Sequence, residues 1–110
     1  MKARRPEDRL QDEIRATLGT MPGVIIMRNA VSYATRPGMT HPELFGLGKG
    51  TPDLVCIVRG RVVGLELKAA RGRLSEEQAR CHEAWRAAGA HVYIVKTLDQ
   101  AREALEACSQ

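Results

Sequence analysis

The sequence predicts a single α/β domain spanning residues 1–110, a mixed β-sheet flanked by helices, and three observations carry that expectation. Two short runs rich in β-branched residues, "DLVCIV" and "VVGLELK", lie on either side of Arg59-Gly60-Arg61, which is hairpin spacing. A capped amphipathic segment, "LSEEQARCHEAWRAAGA", then separates the hairpin from another apolar run, "HVYIVKT", so the chain can cross over and pair in parallel. Helical periodicity appears at both ends. The order read is α-β-β-β-α-β-α.

Each element has its local reason. In "PEDRLQDEIRATLG", Pro6 suits a first helical turn, Leu10, Ile14 and Leu18 recur four apart, and Gly19 ends the run. "GVIIMRN" follows Pro22-Gly23 and is short and β-branched, the signature of a strand. Residues 30–50 carry Pro37, Pro42 and four glycines without a sustained period, and read as a long loop. Loops of that length are usually functional or mobile. Ser75 with Gln78 forms a capping box before the next helix, and Gly89 stops it. Gln78, Cys81, His82 and Trp85 share one face of that helix. Thr97 and Gln100 repeat the capping spacing before the last helix, "LDQAREALEA".

Composition narrows the class. Seventeen Lys and Arg against thirteen Asp and Glu give a net charge of +4, an excess that suits a polyanionic partner without requiring one. The three cysteines, Cys56, Cys81 and Cys108, have neither disulfide-framework nor zinc spacing, which points to a reducing cytoplasm. The start, "MKARRPEDRL", is basic with no apolar run behind it, so a soluble, unexported protein is expected, with no membrane partner. His41, His82 and His91 lack metal-ligand spacing, and "GLGKGTPD" lacks the helix that a phosphate-cradling loop requires. A zinc hydrolase and a nucleotide-dependent enzyme are both disfavoured.

The chemistry concentrates in the hairpin. Side chains alternate along a strand, so Glu66 and Lys68 share one face while Leu65 and Leu67 take the other. A two-residue loop puts Asp53 on the Glu66 face, opposite Glu66 if the loop is Arg59-Gly60 and opposite Lys68 if it is Gly60-Arg61. An odd loop sends Asp53 to the other face. Two converging carboxylates are commonly relieved by a hard divalent cation such as Mg²⁺, to which the Leu67 carbonyl offers a further oxygen. A neighbouring lysine orients or deprotonates an attacking water, or offsets phosphate charge. Taken singly, Asp53 also suits an ordinary turn, and Glu66 and Lys68 a solvated strand face whose truncation removes little packing. Lys49, Arg71 and Arg73 fall on loops at the same end of the hairpin, where they would meet phosphates. Arg4 and Arg5 would add unspecific attraction.

"G-T-P-D-L", then "E-L-K" thirteen positions after Asp53, then "R-L-S-E-E-Q" and "A-G-A" before a strand, resembles the VRR-NUC domain, the virus-type replication-repair branch of the PD-(D/E)XK nucleases. The likeness is closest over residues 48–96, and the short length is similar to stand-alone phage-type members. The resemblance implies a restriction-endonuclease-like core and metal-dependent hydrolysis of phosphodiesters in branched DNA of Holliday-junction or flap type. It makes Asp53 and Glu66 ligands of Mg²⁺ or Mn²⁺ and Lys68 the catalytic lysine. By the same carry-over Glu13 approaches the site from the first helix, as a possible further ligand, and Gln78 from the helix after the hairpin. Read without it, Glu13 suits a solvated helix face, and Gln78 is already explained as the partner of Ser75.

The competing expectation is a noncatalytic nucleic-acid-binding module with the same fold, and intact Asp53, Glu66 and Lys68 argue against it. A sequence-reading restriction enzyme is disfavoured by the small surface available for base contacts. Cutting two strands with one site per chain favours a homodimer. The apolar side chains of residues 30–50, Val31, Tyr33, Met39, Leu44, Phe45 and Leu47, offer either an interface or a cover for the chain's own core.

Overall fold

The structure, a computed structural model, describes residues 5–110. Arg4, expected to add unspecific attraction, lies outside them. The first helix, α1 (Pro6–Leu18), starts on Pro6 with Glu7 and Asp8 in its first turn, where acidic side chains favour the positive end of the helix dipole. Strands β1 (Val24–Arg28), β4 (Leu54–Val58), β5 (Arg61–Leu67) and β6 (His91–Val95) form one sheet in the order β1-β4-β5-β6. The β1/β4 and β4/β5 pairs are antiparallel and β5/β6 is parallel, with α2 (Glu76–Ala87) as the crossover. The last helix, α3 (Leu98–Cys108), follows a cap in which Thr97 accepts from the Gln100 backbone N–H at 3.1 Å. The mixed sheet expected from the sequence is therefore present.

Alternation sorts the sheet into two unlike faces. Leu54, Cys56, Val58, Val63, Leu65 and Leu67 are buried against Ile14 and Leu18 of α1 and Ala101, Ala104 and Leu105 of α3. The opposite face carries Gly64 and Glu66, on which α2 packs. A Cβ at Gly64 would lie 2.5 Å from a ring carbon of Pro52 and 3.5 Å from the Trp85 ring, so only glycine lets the Pro52 turn and α2 settle onto the strand. Beyond the reach of α2 the same face leaves Ile25, Ile57 and Val62 exposed in one cross-strand row.

The hairpin turn is Arg59-Gly60, closed by the Val58↔Arg61 pair. Its two residues have φ of 49° and 85°, and positive φ at both central positions marks the type I′ turn that matches strand twist. Of the registers left open by the sequence, the one placing Asp53 opposite Glu66 is realised, since Leu54 pairs with Leu65.

Residues 30–50 are not wholly a loop. They contain β2 (Ser32–Ala34) and β3 (Glu43–Phe45), paired antiparallel in a small separate sheet. Three-residue strands are too short to display a period, and the surrounding Pro and Gly mask them. Arg36 meets Glu43 at 2.7 Å across this hairpin. Tyr33, Met39, Leu44, Phe45 and Leu47 are all exposed, so they do not serve as a cover for the core.

Candidate active site

Asp53 is placed by a set of bonds gathered on Asn29. Asn29 donates its backbone N–H to the Asp53 carbonyl at 2.9 Å and its side-chain amide to Thr51 Oγ1 at 2.7 Å and the Pro52 carbonyl at 2.9 Å. Its Oδ1 accepts from the Leu47 N–H at 3.2 Å. The "GTPD" turn is thereby tied to the end of β1, and its Gly50, at φ 81°, passes so close to α2 that a Cβ would meet the Glu77 carbonyl at 2.8 Å. Asp53 Oδ2 accepts from the Leu67 N–H at 2.8 Å. Within a strand the N–H and C=O of one residue point to the same neighbour, so the Leu67 carbonyl also faces the Asp53 side.

Glu66 departs from its expected surroundings. It was expected on a solvent-ready face, yet α2 closes over it and leaves the residue 2% exposed. Its Oε1 lies 3.0 Å from His82 Nε2, and its Oε2 accepts from Gln78 Nε2 at 3.4 Å. Burial first, and then the adjoining Asp53 carboxylate, push the Glu66 carboxyl up to about 9, with Lys68 opposing the shift. Burial, followed by the positive charges of Arg86 and Lys68, lowers the His82 pKa.

Gln78 serves the helix cap and the cluster together. Its Oε1 accepts from the Ser75 N–H and from Lys68 Nζ, both at 3.0 Å, while its backbone N–H donates to Ser75 Oγ at 3.1 Å. The capping box read in the sequence is present, and it aims the Gln78 amide at the two charged residues of β5. Asp53, Glu66, Lys68 and Gln78 thus stand together.

A cleft of about 460 Å³ opens beside them, lined among others by Asp53, Leu67, Gln78, Arg28, Asn29 and Ser32. The α1 residues lining it are Glu7, Asp8 and Gln11. Glu13, expected to approach the site, instead lines a separate groove with Lys96 and Asp99. The Leu10–Ile14–Leu18 stripe has two flanks, and the helix docks with the Glu7–Gln11 flank toward Asp53. Lys49 is exposed, with its Nζ 5.7 Å from the centre of the Tyr33 ring, and Arg71 and Arg73 are exposed after β5 without lining the cleft. Read from sequence, Asn29 and Arg28 have no role, and His82, on the Gln78 face of α2, is weighed only as a zinc ligand. His82 was readable as a partner of Gln78 only by its i+4 spacing.

Among the described residues no group of three or more His, Cys, Asp or Glu side chains is arranged to hold a metal ion. The donors that do converge are two carboxylates and the edge of the Leu67 carbonyl, all hard oxygen donors. That set fits a Mg²⁺-like cation that keeps several waters, and not a closed four-ligand zinc centre. With no cation beside them, burial and the adjoining Asp53 carboxylate favour the protonated form of Glu66. Cys56 and Cys81 are ill suited as nucleophiles, since burial raises Cys81 and pushes Cys56 up to about 12.

A mixed sheet with helices on both faces, with paired carboxylates and a lysine at the ends of adjoining strands, is the architecture of a restriction-endonuclease-like fold. A solved structure titled "VRR_NUC domain" has this fold: it superposes with a TM-score of 0.65 over 94% of this chain and 97% of its own, at 23% sequence identity. The chain therefore has the VRR_NUC fold. No protein-family model matches it, and no curated protein matches it in sequence. Among the described residues no helix is long and apolar enough to cross a membrane.

Proposed function

We propose that the protein is a Mg²⁺- or Mn²⁺-dependent endodeoxyribonuclease that hydrolyses phosphodiester bonds in branched or structured DNA, of Holliday-junction or flap type. The observation that carries this reading is the meeting of Asp53, Glu66, Lys68 and Gln78 beside a cleft that Asp53 and Gln78 line. Asp53, Glu66 and the Leu67 carbonyl would hold the cation. When bound, it neutralises charge on the phosphate and lowers the pKa of a coordinated water. Asp53 receives the Leu67 N–H, which keeps one carboxylate oxygen in place and leaves the other for ligation. Lys68 Nζ, steered by Gln78 Oε1 at 3.0 Å, supplies a positive charge and a proton donor beside the scissile phosphate. In the reaction water adds to phosphorus and the P–O bond to one deoxyribose breaks, leaving a phosphate on one strand end and a hydroxyl on the other.

Lys49, Arg71 and Arg73 would contact flanking phosphates, and Arg28 on the cleft wall joins them. Paired cuts in a branched substrate call for two sites, so a homodimer is part of the proposal, with the exposed apolar side chains of the β2–β3 hairpin as an interface. The free thiols suit a reducing cytoplasm, in a bacterial or phage-infected cell.

The test is a panel of end-labelled four-way junction, flap, duplex and single-stranded DNA incubated with Mg²⁺, Mn²⁺ or chelator. Metal-dependent cleavage favouring branched substrates is the expected result. Binding without cleavage in either metal would replace the enzyme by a nucleic-acid-binding module.

A further inference from the structure

Ser75 caps α2, Gln78 is its third residue, and His82 follows four positions on, one turn further along the same helix face. That face lies on Glu66. Gln78 Nε2 approaches one carboxylate oxygen at 3.4 Å and His82 Nε2 the other at 3.0 Å, so the two residues grip Glu66 from successive turns.

His82 is an expensive residue for its position. It is 0% exposed, and its Nδ1 is buried without a hydrogen-bond partner. An unsatisfied buried polar atom is destabilising, a cost that an apolar side chain of similar size would avoid. Among the described residues its single side-chain hydrogen bond is with Glu66. With Glu66 ionised, as cation binding requires, the neutral ring with its proton on Nε2 donates to the carboxylate and leaves only a lone pair unmatched on Nδ1, whereas the other tautomer would set a lone pair against the carboxylate.

Glutamate needs such a grip because its terminal torsion is broad, and a free carboxylate samples many planes. One donor on each oxygen removes that freedom. Each carboxylate oxygen has two acceptor directions, so His82 and Gln78 occupy one apiece and leave the others for a cation shared with Asp53. We propose that His82 is a positioning residue, which, with Gln78, sets the plane of the Glu66 carboxylate for divalent-cation binding. This rests on the reading of Asp53 and Glu66 as metal ligands. Outer partners of metal ligands typically contribute 10–100-fold to affinity, which sets the scale of the effect.

The test is Mn²⁺ calorimetry on the whole protein and on His82→Leu and His82→Gln, with thermal melting in chelator as a check of folding. His82→Leu keeps the bulk and removes the donor, and should fold while losing about 10–100-fold in Mn²⁺ affinity. His82→Gln restores an N–H donor and should regain most of that loss. If the leucine variant does not fold, His82→Met, apolar but more adaptable, takes its place. A folded donor-less variant with wild-type affinity overturns the proposal, and so does a glutamine variant as weak as the leucine one. Failure of the wild-type protein to bind Mn²⁺ would instead remove the metal reading itself, a result distinct from either.

Discussion

The two faces of the four-stranded sheet are built from the same strands to opposite ends. Toward α1 and α3, Leu54, Cys56, Val58, Val63 and Leu65 are each 0% exposed and the contact is largely apolar, with the Tyr93 hydroxyl 3.5 Å from Cys108 Sγ of α3. Toward α2, the strands carry Asp53, Glu66 and Lys68 at one end and the uncovered row Ile25, Ile57 and Val62 at the other. One face spends its side chains on stability, and the other holds ionisable groups that a hydrophobic core would not tolerate without partners. Alternation along β5 lets adjacent residues serve the two purposes: Leu65 and Leu67 anchor the strand that holds Glu66 and Lys68.

That division can be broken from either side. The largest effect is expected from Lys68→Ala, which removes charge and a proton donor on the α2 face. Cleavage of junction DNA should fall by about 10²–10⁴-fold, with the melting temperature nearly unchanged. Near wild-type cutting by this variant would show that the site is misassigned. Leu65→Ala, one residue from Glu66 but on the sealed face, should reverse the pattern, with a loss of about 2–5 kcal/mol in denaturant unfolding. A loss below that range would mean that the α1/α3 face is less tightly packed than its burial indicates.

A pH series addresses the α2 face directly. Burial and Asp53 keep the Glu66 carboxyl protonated to about 9, against an ordinary value of 4.5. Between those values the unfolded chain releases the proton and the folded chain retains it, so stability in chelator should fall as pH rises through this window. Melting temperatures recorded from pH 4.5 to 9 should show the decline in the wild type and a flatter curve in Glu66→Gln. Parallel curves would place the titration elsewhere. The smallest effect is expected from Val62→Thr in the uncovered row, within about 0.5 kcal/mol by the same unfolding assay. A larger loss, together with a change in sedimentation, would locate a partner on that row.

The legible parts of this protein were those whose signal is local. Ser75 and Gln78 sit three apart and form the cap that their spacing announced. Arg59-Gly60 was one of three readings of the turn, and choosing it required the closing Val58↔Arg61 pair. Glu13 misled because a stripe of Leu10, Ile14 and Leu18 is compatible with either flank facing the site, and helix rotation is set by packing against the sheet and not by the helix. The β2–β3 pair was missed because three-residue strands carry no measurable period.

The sequence by itself determined the α/β class, the hairpin, the caps and the shared face of Glu66 and Lys68, because strand alternation and capping act over a few bonded neighbours, whereas the strand register had to add Asp53 to that face. The tertiary structure alone decided that Glu66 is buried, that His82 holds it, that Asn29 ties down the Asp53 turn, and that α1 turns Glu7 and Gln11 rather than Glu13 to the cleft. Those facts depend on which surfaces meet when elements far apart in the chain dock. Docking is governed by shape and burial summed over the whole core, a quantity that no short stretch of sequence contains.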